Sequence, residues 1–117
     1  MSASLADLQK RVEKFVGARD WEQFHDDPKN TILALGGEIG ELMEIYRFTT
    51  IEQAQKRVSE RRTEVEDELA DILYNLLLFC SQNKIDLEKA FMNKEQKRES
   101  KYPVSKFKGI NAKYNEL

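Results

Sequence analysis

Hydrophobic residues recur three or four positions apart along most of the chain, which is the spacing of a helix face. The first such stretch predicts an amphipathic helix from about Ser4 to Ala18. A second helix is expected to start at Asp27 and Pro28, because a capping aspartate followed by proline is a typical helix start. Its apolar stripe runs to Tyr46. Both helices therefore need a neighbour against which to bury one face.

The strongest helix prediction covers about Glu60 to Asn83. The apolar stripe of this helix is widened by Leu73 and Leu77, so that its apolar face is too broad for a single partner helix. We therefore expect it to pack against more than one neighbour.

Two further segments complete the helical pattern. The charged stretch from Glu52 to Arg62 predicts a short helix or a mobile connector. Asp86 is expected to cap a last helix that runs to about Ser100 and stops before Pro103. The chain is thus predicted to be all-α, with four to five helices whose long members form a bundle.

Length and composition favour one helical domain over residues 1–117. The chain is long enough for a single core, and 34% of its residues are charged, with five glycines and two prolines. Its one cysteine, Cys80, lies in an apolar run, which argues against disulfides and zinc clusters and favours a reducing cytoplasm. The N-terminus lacks a signal-peptide pattern, and the run from Ile72 to Cys80 is too short to cross a membrane. We expect a cytoplasmic protein with no membrane partner.

Charge is unevenly distributed along the chain. Residues 86–117 hold eight Lys/Arg and five Asp/Glu, whereas the whole chain has a net charge of −2. The basic end can be a solvated last helix, or it can supply cations to an anionic ligand held by the acidic part. A nucleic-acid partner is not expected, because the body is acidic and no strong basic stripe is present.

Two carboxylate pairs lie on the second and third of these predicted helices. Glu38 and Glu41 form one pair, Glu68 and Asp71 form the other, and the three-residue spacing places each pair on one helix face. No basic residue follows any of them at i+4, where an ion-pair partner would lie. One interpretation is a ribbon of charge that faces water. The other is a metal site, because buried carboxylates that repel one another need a cation.

The residue types restrict the choice of metal. Four carboxylates, with Asn75 on the same ribbon, offer oxygen ligands of the kind that Mg²⁺ and Mn²⁺ prefer. A di-iron bundle would need Glu-x-x-His on two helices, and the one histidine of the chain, His25, lies outside any such motif. Mg²⁺, with Mn²⁺ as a substitute, is therefore the expected cofactor.

Five short motifs occur in an order that resembles a known enzyme family. They are Trp21-Glu22-Gln23-Phe24-His25, Pro28-Lys29-Asn30, Gly37-Glu38-Ile39-Gly40-Glu41-Leu42, Glu68-Leu69-Ala70-Asp71 and Lys101-Tyr102-Pro103. The order is similar to that in the MazG-like all-α nucleoside triphosphate pyrophosphohydrolases, and within them to the dCTP pyrophosphatases. The resemblance implies hydrolysis of a nucleoside triphosphate, such as dCTP, between the α and β phosphates to give monophosphate and pyrophosphate. It also implies a homodimer or homotetramer in which a second subunit completes the bundle and each site.

The resemblance, together with the chemistry of the residues and their spacing along the predicted helices, indicates roles for individual residues. Mg²⁺ is expected to be bound by Glu38, Glu41, Glu68 and Asp71. Of these, Glu41 is our choice for the base that deprotonates the attacking water, and Glu38 is a second catalytic candidate. The residues expected at the nucleobase are Trp21, Phe24, His25, Asn30, Phe48 and Asn75. The residues expected at the phosphates are Lys94, Arg98, Lys101 and Tyr102.

Some alternatives remain open at this level. Similar enzymes usually have asparagine where this chain has Arg98, so the phosphate contacts are expected to differ in detail. Trp21 and Phe24, which precede a helix, can instead form a hydrophobic staple or a subunit contact. The alternative function is a helical dimerisation module without catalytic activity. It predicts that the four acids tolerate joint replacement by Gln and Asn.

Overall fold

In the computed structural model, which describes residues 2–116, every regular element is a helix. The α-helices are, in order, α1 (Leu5–Ala18), α2 (Pro28–Tyr46), α3 (Ile51–Glu60), α4 (Arg62–Gln82), α5 (Leu87–Lys101) and α6 (Val104–Phe107). Short 3₁₀ helices cover Trp21–Phe24 and Tyr114–Glu116. The prediction of an all-α fold is confirmed, and the one-turn α6 adds to the predicted elements.

The chain divides into two compact units, Met1–Ile85 and Asp86–Leu117, and each is described by itself. The first unit holds α1 to α4, and the second holds α5 and α6. The prediction of a single domain over residues 1–117 stays a prediction. No helix of the described residues is long and apolar enough to cross a membrane.

Side-chain caps mark two of the predicted helix starts. The Asp27 carboxylate accepts a hydrogen bond from the backbone N–H of Lys29 (3.0 Å), and Pro28 is the first residue of α2. Asp86 accepts in the same way from the backbone N–H of Lys89 (3.0 Å) at the start of α5. Each cap satisfies a backbone donor that a helix end leaves without a partner. Both predicted starts are confirmed.

The charged stretch after α2 forms a helix. Thr50 and Gln53 make a reciprocal capping box at the start of α3, since the side chain of each accepts from the backbone N–H of the other. Arg57 on α3 donates a hydrogen bond from Nε to the carbonyl oxygen of Ile45 (2.8 Å), in the last turn of α2. This side-chain contact attaches α3 to the C-terminal end of α2.

The core of the first unit is built around α4, which is the helix predicted from about Glu60 to Asn83. It packs along α2 and also contacts α1. The buried apolar side chains come from all three helices: Val12, Val16, Ile45, Val65, Leu77, Leu78 and Cys80. Leu77 is the most enclosed of them, with 1% of its surface exposed. The prediction that this helix needs more than one neighbour is confirmed.

Aromatic side chains organise the second unit. The Tyr102 ring, which follows α5, packs edge-on against Phe107 and Tyr114, with ring centres 4.8 and 5.9 Å away. Nζ of Lys101 lies 4.8 Å from the centre of the Tyr114 ring. These contacts fold the C-terminal segment back onto the end of its own helix.

Candidate active site

Three of the four predicted metal ligands lie together where α2 and α4 pack side by side. Glu38 and Glu41 come from α2 and Glu68 from α4, and each offers a carboxylate oxygen within 4.8 Å of the other two. The three-residue spacing on α2 presents two acids on one face, and the pairing with α4 supplies the third. This carboxylate trio can hold a divalent cation through oxygen ligands.

Without a cation, the partial burial of these carboxylates costs folding free energy. Oε2 of Glu38 and Oε2 of Glu68 are buried and have no hydrogen-bond partner among the described residues, whereas Glu41 is exposed. Within residues 2–116, none of the three carboxylates takes part in a salt bridge. A buried carboxylate oxygen without a donor has lost its hydration and has no compensating interaction. The donor set therefore fits a bound cation, which would satisfy both oxygens.

The protonation of Glu68 reflects the same lack of positive charge. Burial, together with the neighbouring carboxyl groups of Glu41 and Glu38, raises the pKa of Glu68 from 4.5 to about 7. Ionised carboxylates this close together repel one another, which favours the protonated form of one of them. A divalent cation has the opposite effect, because it favours the ionised form. Cation binding at this cluster is therefore coupled to proton release.

Asp71, the fourth predicted ligand, lies outside the trio. It follows Glu68 by three residues on α4 and is exposed. Asn75, one turn further on, donates from Nδ2 to the backbone carbonyl oxygen of Asp71 (3.0 Å), so its amide group is engaged within its own helix. Asp71 also lines an aromatic recess. It is thus next to the acidic cluster along α4 and part of the recess.

The aromatic recess has a volume of about 510 Å³ and combines side chains from α1, α4 and the first 3₁₀ helix. It is lined by Arg11, Val12, Phe15, Trp21, Asp71 and Tyr74. The Phe15 ring stands edge-on to its two aromatic neighbours, with ring centres 5.6 Å from Trp21 and 6.0 Å from Tyr74. Trp21 is 41% exposed and Phe15 is 40% exposed. Ring surface therefore remains for a planar ligand to stack on.

Phe15 and Tyr74 are not among the site residues predicted from the sequence. Phe15 belongs to the apolar stripe of α1, where a residue normally serves the core. Tyr74 follows Asp71 by three residues on α4. This spacing, which puts the ring on the same helix face as the acid, is the one sequence signal that could have identified it.

His25, which was predicted at the nucleobase, lines a different cavity of about 280 Å³. It shares this cavity with Glu22 and Gln82. The amide oxygen of Gln82 accepts a hydrogen bond from the hydroxyl of Thr31 (2.8 Å), while its Nε2 is buried without a partner. Trp21 is the first residue of this 3₁₀ helix and His25 directly follows its last, so the two residues of one motif lie at opposite ends of the helix and line separate cavities.

The other predicted base contacts are not among the residues that line the recess. Phe24 and Phe48 are 69% and 90% exposed. Phe48 has a φ of 59°, a strained conformation for a residue with a bulky side chain, and the Arg47 guanidinium carbon lies 4.7 Å from its ring centre. Asn30 is exposed in the first turn of α2. The role of these residues at the base stays a prediction.

All four residues predicted at the phosphates lie in the second unit, on its first helix or directly after it. Lys94, Arg98 and Lys101 follow one face of α5. The guanidinium carbon of Arg98 lies 5.9 Å from the centre of the Phe91 ring, and Tyr102 is held by its aromatic neighbours. None of the three cations forms a salt bridge within the part of the chain that the structure describes.

The fold and the site together define an all-α protein with a carboxylate cluster that can hold a cation and with an aromatic recess, a combination suited to a nucleotide bound through metal. Residues 34–117 match the model of the MazG-like family. This segment contains all four predicted metal ligands and the whole second unit. The chain belongs to the MazG-like family.

Similar proteins of known type support this assignment. The dCTP pyrophosphatase 1 of Bos taurus is 35% identical over 116 residues, which cover 97% of this chain and 68% of the relative. That of Homo sapiens is also 35% identical, with the same coverage. A solved pyrophosphatase from Archaeoglobus fulgidus superposes with a TM-score of 0.78 at 32% sequence identity, covering 88% of this chain and 95% of that one. The chain is accordingly an enzyme, a nucleoside triphosphate pyrophosphohydrolase, and not a non-catalytic helical module.

Proposed function

We propose that this enzyme hydrolyses a deoxynucleoside triphosphate, dCTP or a close relative of it, to the monophosphate and pyrophosphate in a reaction that depends on Mg²⁺. The observation that carries the proposal is the carboxylate trio of Glu38, Glu41 and Glu68, with two buried oxygens that lack a donor. The choice of dCTP is supported by the relatives, which are dCTP pyrophosphatases.

Glu38, Glu41, Glu68 and Asp71 would hold the metal. Mg²⁺ prefers oxygen ligands and leaves coordination positions for phosphate oxygens, and Mn²⁺ accepts the same ligands. When bound, the metal neutralises charge that develops on the pyrophosphate leaving group. Asp71 is included because it lies one helical turn from Glu68, with its carboxylate exposed.

Glu41 is the proposed base for the attacking water. Among the three clustered carboxylates it is the exposed one, whereas Glu38 and Glu68 are half-buried beside it. Water can therefore reach its oxygens most easily. Proton transfer to a positioned side chain accelerates such reactions by typically about 10²–10⁴-fold. Glu38, which lies on the same face of α2, is the second candidate.

The nucleobase is proposed to stack in the aromatic recess. Trp21 supplies a partly exposed ring, and Phe15 and Tyr74 form the walls beside it. Asp71 lines the recess, so a base held there would have its triphosphate near the metal ligands of α4. The remaining predicted base contacts belong to the same proposal: Phe24, His25, Asn30, Phe48 and Asn75.

Lys94, Arg98, Lys101 and Tyr102 are proposed to contact the triphosphate. Three of them are cations without a carboxylate partner in the described chain, and the tyrosine hydroxyl can donate a hydrogen bond. Arginine forms bidentate hydrogen bonds with phosphate oxygens and carries a positive charge, whereas the asparagine amide is neutral. Arg98 is therefore expected to strengthen phosphate binding relative to enzymes that have asparagine at this position.

Self-association as a homodimer or homotetramer is part of the proposal. α2 and α4 leave large apolar side chains exposed, among them Ile39 (41%), Met43 (65%) and Leu69 (50%). A Cβ built at Gly36 or Gly40 meets no atom within 4 Å, so that these glycines leave room for a neighbour from outside the chain. Exposed apolar side chains grouped on neighbouring helices are typical of interaction sites, which supports this proposal. No other macromolecular partner is proposed, and the cytoplasmic location stays a prediction.

A nucleotide panel tests the proposed reaction. Metal-free protein is incubated with each dNTP and NTP, with and without Mg²⁺, and the products are separated by ion-exchange chromatography. We expect monophosphate and pyrophosphate, with dCTP among the best substrates, and only when Mg²⁺ is present. Orthophosphate as the first product, or turnover that persists in EDTA, contradicts the proposal.

Matched variants test where the activity is located. Glu38→Gln, Glu41→Gln and Glu68→Gln each remove one carboxylate of the trio. Glu44→Gln on α2 and Asp67→Asn on α4 remove exposed carboxylates outside it. We expect the first group to lose activity and the controls to keep it, with unchanged helical content in all. Similar activities in the two groups would mean that the trio is not the catalytic site.

A further inference from the structure

Arg19 is not one of the residues that line the aromatic recess, but it lies beside two that do. It is the residue that ends α1, two positions before Trp21. Its guanidinium carbon lies 3.7 Å from the centre of the Phe15 ring and 6.0 Å from the centre of the Trp21 ring. Nη1 donates a hydrogen bond to the carbonyl oxygen of Phe15 (3.1 Å). One cation is thus within interaction range of two walls of the recess.

The guanidinium of Arg19 is not paired with a carboxylate of the described residues. Within residues 2–116 Arg19 forms no salt bridge, so the Phe15 ring and carbonyl are its principal partners. A flat guanidinium stacks on an aromatic face in a way that an ammonium group does not. Burial raises the pKa of Tyr74, and the charge of Arg19 opposes that rise, so the field of Arg19 also reaches the third aromatic wall.

The turn between Arg19 and Trp21 has a defined backbone conformation that side-chain hydrogen bonds support. Asp20 has a φ of 53°, in the left-handed region that residues with side chains seldom adopt. Nε2 of Gln23 donates to the backbone carbonyl oxygen of Asp20 (2.9 Å) and to its Oδ2 (3.3 Å). The backbone position of Trp21 is therefore fixed by this turn, and the Arg19 side chain that stacks on Phe15 lies just before it in the chain.

We propose that Arg19 is a positioning residue for nucleobase binding, because its guanidinium holds the Phe15 and Trp21 rings in the arrangement that stacks on the base. This inference rests on the proposed function of the recess. Arg19 lies neither in the lining of the recess nor in the carboxylate trio, so it acts on substrate binding through the rings and not on the chemical step. Its loss therefore raises KM and leaves kcat nearly unchanged.

Trp21 is the one tryptophan of the sequence, so fluorescence excited at wavelengths that tyrosine does not absorb reports on this ring alone. In Arg19→Gln we expect Trp21 emission to shift to the red and to be quenched more readily by acrylamide. We expect KM for dCTP to rise about two- to fivefold, with kcat within about twofold of the wild type. Arg19→Lys, which keeps the charge without the flat group, is expected to lie in between.

Arg62→Gln is the matched control, because it removes the charge of an exposed arginine at the start of α4 whose partner is Glu66. It is expected to match the wild type in emission, KM and kcat. Circular dichroism checks that each variant is folded. Should Arg19→Gln not fold, Arg19→Lys carries the same comparisons. Unchanged emission and KM in the Arg19 variants, or a loss of kcat at constant KM, overturns the inference.

A double-mutant cycle with Trp21→Phe tests whether Arg19 acts through the ring. If it does, the effect of Arg19→Gln on KM becomes smaller in the Trp21→Phe background. An effect of equal size in both backgrounds would show that Arg19 acts elsewhere and overturns the inference.

The cycle also separates this inference from the proposed function. If the wild type hydrolyses no nucleotide, the proposed function fails and the inference fails with it. If the wild type is active but Trp21→Phe leaves KM unchanged, the base is not bound in this recess and the role of Arg19 is overturned. If Trp21→Phe raises KM and the Arg19 variants do not, only the inference about Arg19 fails.

Discussion

Removing and restoring the metal is expected to change the stability of the protein strongly. In metal-free protein at about pH 8, Glu68 is mostly ionised, because its pKa is raised only to about 7. Its charge then lies beside Glu38 and Glu41, with carboxylate oxygens within 4.8 Å and two of these buried without a donor. We expect Mg²⁺ to bind the folded trio and to find no comparable site in the unfolded chain, and therefore to stabilise the folded state.

The size of the effect follows from linkage. A ligand that binds only the folded state stabilises it by about 2.7 kcal/mol when its concentration is about 100 times Kd. Unfolding entropy is about 2.1 cal/mol/K per residue, which gives about 0.25 kcal/mol/K for 117 residues. The melting temperature is therefore expected to rise by about 11 °C at that Mg²⁺ concentration.

Glu68→Gln tests the cause of the effect. Because the pKa of Glu68 is raised from 4.5 to about 7 on folding, its contribution to stability is fully present below pH 4.5 and is lost as the pH rises through 7. Glutamine keeps the size of the side chain and removes its charge. Metal-free Glu68→Gln is therefore expected to melt above the wild type at about pH 8, with a smaller difference at about pH 5. Its response to Mg²⁺ is expected to be small, whereas the Glu44→Gln control responds fully.

Differential scanning calorimetry of EDTA-treated protein, with and without Mg²⁺, is the assay. KCl at matched ionic strength controls for general screening of charge. If Mg²⁺ has no specific effect on the wild type, or if Glu68→Gln keeps the whole response, cation binding by the trio is refuted. If metal-free Glu68→Gln melts below the wild type at high pH, repulsion among these carboxylates is refuted.

Three further changes have defined outcomes. Glu41→Gln is expected to lower kcat by about 10²–10⁴-fold, and a kcat within about tenfold of the Glu44→Gln control would exclude Glu41 as the base. Met43→Glu, which puts a charge on the exposed apolar surface of α2, is expected to lower the mass found by light scattering. The control Ile51→Glu on α3 is expected to leave the mass unchanged. Equal masses for the two variants would exclude the α2 surface from self-association. Leu77→Ala is expected to lower the free energy of unfolding in urea by about 2–5 kcal/mol, and a loss below about 1 kcal/mol would contradict its place in the core.

Local signals in the sequence account for most of the helix boundaries. Asp27 and Asp86 bond backbone donors two and three residues ahead, so their caps depend on no distant part of the chain. The sequence leaves α3 undecided between helix and connector. Its attachment depends on the hydrogen bond from Arg57 to Ile45, between two helices, and such a contact leaves no periodic trace in the sequence.

The candidate site was also predictable only in part, because some of its contacts depend on how the helices pack. The three clustered glutamates were predictable as a group, because helix spacing aligns two of them and the breadth of the α4 apolar face implies a close neighbour. The recess was not predictable, since Phe15 and Tyr74 meet only when α1 packs on α4. Conversely, Trp21 and His25 belong to one motif but line different cavities, because a 3₁₀ helix turns the chain between them.

Phosphorus NMR of dCTP during turnover tests the central claim most directly, since it shows which bond is cleaved and whether metal is required. With Mg²⁺ present, we expect the signals of dCMP and pyrophosphate to grow together at equal rates and to stop growing when EDTA is added. Growth of orthophosphate and dCDP signals, or cleavage that continues unchanged in EDTA, would contradict the account.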